Sequence, residues 1–174
     1  MAPLSMKVPA AGHNQEPPTA HVMVVDDEPE TLRAIERILR ARNFNVATAT
    51  SGTAALDYIE NQPVDVLLVD LVMPGMSGLE VLKEVKQISQ HVEVVLMTAF
   101  ADVDTAVAAV KAGAYDFLTK PFASSDTVAL TVAKAAERGR LLDRTRHLEK
   151  ELEIRERYGD IVGSSPPMLE VYRM

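Results

Sequence analysis

The chain has 174 residues, enough for one well-packed domain with length to spare, and its 47% hydrophobic and 25% charged residues fit a folded globular protein rather than a disordered one. It contains no cysteine and no tryptophan, which excludes disulfides, thiolate metal sites and cysteine nucleophiles and argues against base stacking. The net charge of -7 comes from residues 21–122, where 15 acidic side chains face 8 basic ones, so this segment repels nucleic-acid phosphate and is not expected to bind DNA directly.

Residues 1–20 are rich in Pro, Ala, Gly, Asn and Gln and lack the long apolar stretch of a secretory signal, so a flexible leader is expected there. No apolar run approaches the roughly 18 residues of a membrane span, which makes the cytoplasm the expected location and a membrane an unexpected partner. From residue 21 onward, short β-rich runs alternate with helical patterns, the signature of βαβ units and a parallel sheet. The first strand is predicted over 21–25. A helix follows from Pro29, with Leu32, Ile35, Ile38 and Leu39 on one stripe. The second strand, over 44–48, is short and mixed, as suits a place near an edge. Ser51 is set to cap a helix carrying Ala54, Ala55, Leu56, Tyr58 and Ile59.

Residues 64–69 are apolar apart from Asp65, the pattern of a strand covered on both faces, and the run stops at Asp70. A turn with Pro74, Gly75 and Gly78 leads into a helix with Leu79, Val81, Leu82 and Val85, and a fourth strand is predicted over 92–97. Asp102 opens the next helix, for which Val103, Ala106, Val107 and Val110 are expected to face inward, with Gly113 at its stop. A fifth strand is predicted over 115–119 and a fifth helix from Ser124 or Ser125. That helix continues to about Tyr158 without a proline, with Gly139 as the expected kink. Leu141, Thr145, Leu148 and Leu152 follow the 4-3-4 spacing of a coiled-coil seam, among evenly mixed charges, and predict pairing with a second copy.

Chemistry-bearing residues stand directly after the apolar runs: Asp26 and Asp27, Asp70, Thr98 and Lys120. In an open parallel sheet the carboxyl ends of the strands share one edge, so three carboxylates, a hydroxyl and an ammonium are predicted to meet there. Carboxylates this close oppose joint ionisation unless a cation joins them. Mg²⁺ prefers oxygen ligands and keeps several waters, so Asp27 and Asp70 with the Val72 carbonyl would suffice, Asp26 acting through a water. Asp70 is the candidate nucleophile for an aspartyl phosphate, and Lys120 and Thr98 the partners of the phosphoryl oxygens. Ala99 leaves room for a substrate to enter, and Pro121 confines the Lys120 backbone to an extended conformation compatible with a cis bond.

In Val24-Val25-Asp26-Asp27-Glu28, Asp70-Leu71-Val72-Met73-Pro74-Gly75-Met76-Ser77-Gly78, Met97-Thr98-Ala99 and Asp116-Phe117-Leu118-Thr119-Lys120-Pro121-Phe122 the sequence resembles the receiver domain of bacterial response regulators, over residues 21–137. The resemblance implies a flavodoxin-like α/β fold with five parallel strands in the order 2-1-3-4-5, an order known for this fold class. It implies Asp70 as the phosphoacceptor, Asp26 and Asp27 as metal acids for Mg²⁺, Thr98 and Lys120 as phosphoryl partners, and Thr98 with Phe117 as the switch. It further implies a sensor histidine kinase as partner, a phosphoacceptor rather than an enzyme, and a dimer face formed by the fourth helix, fifth strand and fifth helix.

Residues 161–173 look like the opening of the AAA+ ATPase domain in sigma-54-dependent activators of the nitrogen-regulator type. The implied organisation is a leader (1–20), a receiver (21–137), a helical linker (138–158) and the start of an AAA+ domain (159–174). No phosphate loop of the form G-x-x-x-x-G-K-[ST] occurs in the chain. Three alternatives stand beside this reading. A Mg²⁺-dependent phosphatase of the haloacid dehalogenase kind would carry D-x-D after its first strand. A flavodoxin-like FMN binder would need a hydroxyl-rich loop where Asp26-Asp27-Glu28 stands. A degenerate receiver would serve only as a dimer scaffold.

Overall fold

The computed structural model describes residues 20–99 and 102–163, with side chains through residue 157. Its elements alternate in chain order: β1 (His21–Val25), α1 (Pro29–Arg40), β2 (Asn45–Ala49), α2 (Gly52–Asn61), β3 (Val66–Asp70), α3 (Gly78–Ile88), β4 (Glu93–Thr98), α4 (Val103–Lys111), β5 (Asp116–Thr119) and α5 (Ser125–Gly163). The strands form one parallel sheet in the order β2-β1-β3-β4-β5, as the family resemblance implies. The fold is therefore a flavodoxin-like, doubly wound α/β sheet with a long C-terminal helix.

Strand side chains alternate between the two faces, and each face has its own core. Val22, Val24, Val66, Leu68, Val95 and Met97 pack with Leu32, Ile35 and Leu39 of α1 and Val128, Val132 and Ala135 of α5. Met23, Val25, Leu67, Val69, Val94 and Leu96 pack with Ile59 of α2, Val81, Leu82 and Val85 of α3, and Ala109 of α4. Both faces of β1, β3 and β4 are thus dry, which explains their unbroken apolar runs. The outer strands β2 and β5 bury less, and in β5 only Leu118 is buried.

Helix starts follow local chemistry. The Ser51 hydroxyl accepts from the Ala54 amide, and Asp102 accepts from the Thr105 amide at 2.6 Å. Ser77 and Glu80 form a reciprocal capping box on α3. Gly113 follows α4 with φ +93°, a conformation that favours glycine.

Three expectations need correction. Strand limits shift by one or two residues, so that Asp70 and Thr98 are the last residues of β3 and β4 rather than the residues after them. The valines expected inside α4 are outside: Val103 is 78% and Val110 66% exposed, Val107 is also exposed, and Ala109 is the buried residue. This helix is so rich in Ala and Val that no stripe distinguishes its faces, and the small Ala109 permits the close approach to the sheet. Finally, α5 is continuous through Gly139 and runs to Gly163, past the break expected near Tyr158. The leader over 1–19 and the segment over 164–174 lie outside the described residues.

Candidate functional site

The reversal of strand order places a crevice at the carboxyl ends of β1 and β3, where open sheets of this kind bind ligands. Asp26 directly follows β1 and is fully buried, Asp27 beside it is exposed, and Asp70 at the end of β3 is buried. One carboxylate oxygen from each lies within 4.8 Å of the others. The sequence expectation that these three acids converge is met in the geometry.

Lys120, one residue past β5, reaches into this cluster. Its Nζ donates to Asp26 Oδ2 at 2.5 Å and stands 3.2 Å from Asp70 Oδ1. Its amide donates to the Thr98 carbonyl at 2.7 Å, which ties the lysine to the end of β4. The Lys120–Pro121 peptide is cis. Thr98 is buried, and Ala99 after it is exposed. Val72, two residues beyond Asp70, is 72% exposed at the rim.

The charges shape one another. Burial pushes the Asp70 carboxyl above its ordinary range, Lys120 pulls it down, and Asp26 and Asp27 push it up again, with an upward net direction. For Lys120, burial alone works downward, but its hydrogen bond to Asp26 and the charges of Asp26 and Asp70 outweigh it, and the ammonium is held more firmly than usual.

The donor set consists of carboxylate oxygens without nitrogen or sulfur, which suits a hard, oxygen-seeking cation. Both oxygens of Asp26 are engaged, Oδ1 by the Glu28 amide at 2.9 Å and Oδ2 by Lys120. Asp27 and Asp70 are the more available ligands for a cation. Phe117 in β5 is 37% exposed and edges a small cavity with Leu71, Leu96, Thr98, Thr105, Ala106 and Ala109.

One feature of the site was not read from the sequence as a site feature. Gly78 opens α3 against the backbone of the phosphoacceptor candidate: a Cβ there would stand 2.4 Å from the Asp70 carbonyl oxygen. The loop after β3 therefore folds back only because residue 78 has no side chain. Its amide donates to the Leu71 carbonyl at 3.0 Å. The only sequence signal was a glycine within a turn-rich stretch, which does not distinguish a turn from a close approach.

Comparison with known proteins agrees with this geometry. The family model described as "Response regulator receiver domain" matches residues 22–132. The DNA-binding transcriptional regulator NtrC of Klebsiella pneumoniae is 37% identical over 151 residues, which cover 87% of this chain and 31% of that protein. Regulatory protein AtoC of Escherichia coli K12 is 34% identical over 150 residues, 86% of this chain and 32% of that one. The chain spans about a third of the length of these curated relatives. Among solved structures, a response regulator receiver domain protein from Clostridium thermocellum superposes with a TM-score of 0.66 at 35% identity, covering 71% of this chain and 98% of the other. NtrX from Brucella abortus, solved in complex with ATP, gives 0.70 at 30% identity, covering 75% and 30%. With its matched family model, its strand order and its acidic crevice, this chain belongs to the response regulator receiver domain family.

Proposed function

We propose that the chain is a phosphorylation-controlled switch in which Asp70 accepts a phosphoryl group from a sensor histidine kinase in a Mg²⁺-dependent step. The observation that carries this reading is the convergence of the Asp70, Asp26 and Asp27 carboxylates, within 4.8 Å, with the Lys120 ammonium 3.2 Å from Asp70. Asp27, Asp70 and the Val72 carbonyl would hold the ion, with Asp26 acting through a water. Bound magnesium would neutralise the carboxylates and polarise the phosphoryl oxygens.

An Asp70 carboxylate oxygen attacks the phosphorus of a phosphohistidine. The new P–O bond forms as the P–N bond breaks, and the departing imidazole keeps the bonding electron pair and takes a proton from solvent. Lys120, Thr98 and the space beside Ala99 receive the phosphoryl oxygens. The added charge draws Thr98 and Lys120 inward, and Phe117 turns into the cavity it now edges. The chain accepts and holds the group; it is not an enzyme in the sense of turning over a substrate.

The face that changes comprises α4, β5 and α5, on which the large apolar side chains of Val103, Val107, Val110, Phe117 and Leu130 are exposed. A second copy of the chain is its occupant in this reading, joined also along Leu141, Leu148 and Leu152 of α5, each at least half exposed. The organisation proposed is a leader over 1–20, the receiver over 21–137, a linker over 138–158, and the start of an AAA+ domain over 159–174. Similarity to NtrC and AtoC supports a downstream sigma-54-dependent activator as the controlled partner.

The reading is tested with beryllium fluoride and Mg²⁺, which together mimic an aspartyl phosphate. Sedimentation and amide NMR should change together in the parent chain, with shifts at Thr98 and Phe117, and neither should change in Asp70→Asn. Equal responses in parent and variant would overturn it.

A further inference from the structure

We propose that the N-terminal edge of the sheet, the edge remote from the aspartates, carries a clamp in which Glu93, Lys86, Arg138 and Gly139 fix the direction of α5 as it leaves the domain. This device is separate from the phosphoryl site and does not depend on how Asp70 is read.

Glu93 opens β4 and is 1% exposed, unusual for a charged residue amid apolar neighbours. Its Oε2 accepts from Arg138 of α5 at 3.2 Å and lies 3.7 Å from Nζ of Lys86 in the last turn of α3. Lys86 also donates to the Val92 carbonyl at 2.7 Å. The two helices cover opposite faces of the sheet, so one buried carboxylate joins cations from both sides. A carboxylate removed from water is costly unless paired, so losing one partner matters far more here than at a surface pair.

The residue after Arg138 completes the seat. A Cβ on Gly139 would stand 2.9 Å from the His91 carbonyl oxygen and 3.4 Å from Glu93 Cγ. Glycine disfavours a helix interior, yet here the helix stays continuous and its bare backbone lies against the loop before β4. Two further contacts extend the grip. Arg146 donates to Gln90 Oε1 at 2.8 Å, and the Arg138 guanidinium stands 5.6 Å from the centre of the Tyr115 ring. Tyr115 in turn donates its amide to the Val94 carbonyl.

Residues 138–146 are therefore held by the loop before β4, by β4 itself and by the entry to β5. The helix beyond them moves as an extension of the sheet and not as a hinged arm, so a displacement of β4 or β5 is carried along it. Gly139, expected from the sequence to bend the helix, instead lets it lie flat against the domain.

The absence of cysteine makes the test clean. Spin labels on cysteines introduced at the exposed Glu60 of α2 and Glu153 of α5 report one intramolecular distance, with labelled chain diluted into unlabelled chain to suppress distances between copies. The parent should give one narrow distance. Gly139→Ala and Arg138→Gln should each displace or broaden it, although alanine is the better helix former and helix content by circular dichroism should not fall. Glu93→Gln should do the same; if it fails to fold, the other two variants carry the test. Asp70→Asn and Lys150→Gln should leave the distance narrow. A broad distribution in the parent, or an unchanged narrow one in both Gly139→Ala and Arg138→Gln, would overturn the clamp.

Discussion

Lys120 decides the charge balance at the strand ends, because its ammonium faces the fully buried Asp26 and the buried Asp70 at once. Removing it strands Asp26 without its cation, and breaking one partner of a buried pair costs about 3–5 kcal/mol. Lys120→Met should therefore lower the metal-free stability by about 3 kcal/mol in urea melts, with Mg²⁺ recovering part of the loss by binding the folded state. Asp70 gives a pH signature of opposite sense to an ordinary salt-bridged acid. Its folded carboxyl is raised, first by burial, so the folded state holds its proton more tightly than the unfolded one. With metal chelated, stability should fall as pH rises from the usual aspartate range through the raised folded value; Asp70→Asn should flatten that slope in urea melts at stepped pH. A slope of equal size in the variant would contradict this. At this scale the aspartates, Thr98 and Lys120 were legible because each ends an apolar run. Glu93 was not, because one acid inside such a run gives no sign of the Arg138 and Lys86 cations, 45 and 7 residues away in the chain, that make its burial tolerable.

Among the elements, α1 and α3 were readable because their apolar residues keep a helical stripe; each buries three of the four side chains the stripe names, and Ile38 and Leu79 are half-buried at its margin. In α4 the stripe fails. Alanine and valine occupy most of its positions, so burial follows packing distance and Ala109 goes inside while three valines face out. The exposure has a measurable consequence. Val107→Ser and Val110→Ser should change folding stability by no more than about 0.5 kcal/mol, as surface substitutions do, yet weaken self-association of the phosphorylated chain in sedimentation. Ala109→Leu should instead destabilise by about 1–3 kcal/mol, since an enlarged side chain must force α4 off the sheet. Reversal of that order in denaturant melts would mean that the helix faces have been misassigned. The caps were read correctly from Ser51 and Asp102 because a helix start needs an acceptor for its free amides, and that need is local.

For the whole molecule, the alternation of strands and helices was enough for a parallel α/β sheet, but periodicity does not rank strands within it; the order came from the family resemblance and agrees with the pairing. The path of α5 depends on its contact with the loop before β4, a meeting of residues far apart in the chain, so the sequence pattern gave its existence and not its direction. If its outer half pairs with a copy, Leu148→Asp together with Leu152→Asp should shift sedimentation toward monomer while leaving receiver folding intact, because both side chains are exposed in the single chain. An unchanged dimer would assign association to the α4–β5–α5 face alone.

The most direct measurement is intact-protein mass after incubation with a small phosphodonor, with and without Mg²⁺. The parent chain should gain one phosphoryl group only when Mg²⁺ is present, fragmentation should locate it on Asp70, and Asp70→Asn should gain none. A parent chain that stays unmodified, or a variant that takes up the group as the parent does, would contradict the account.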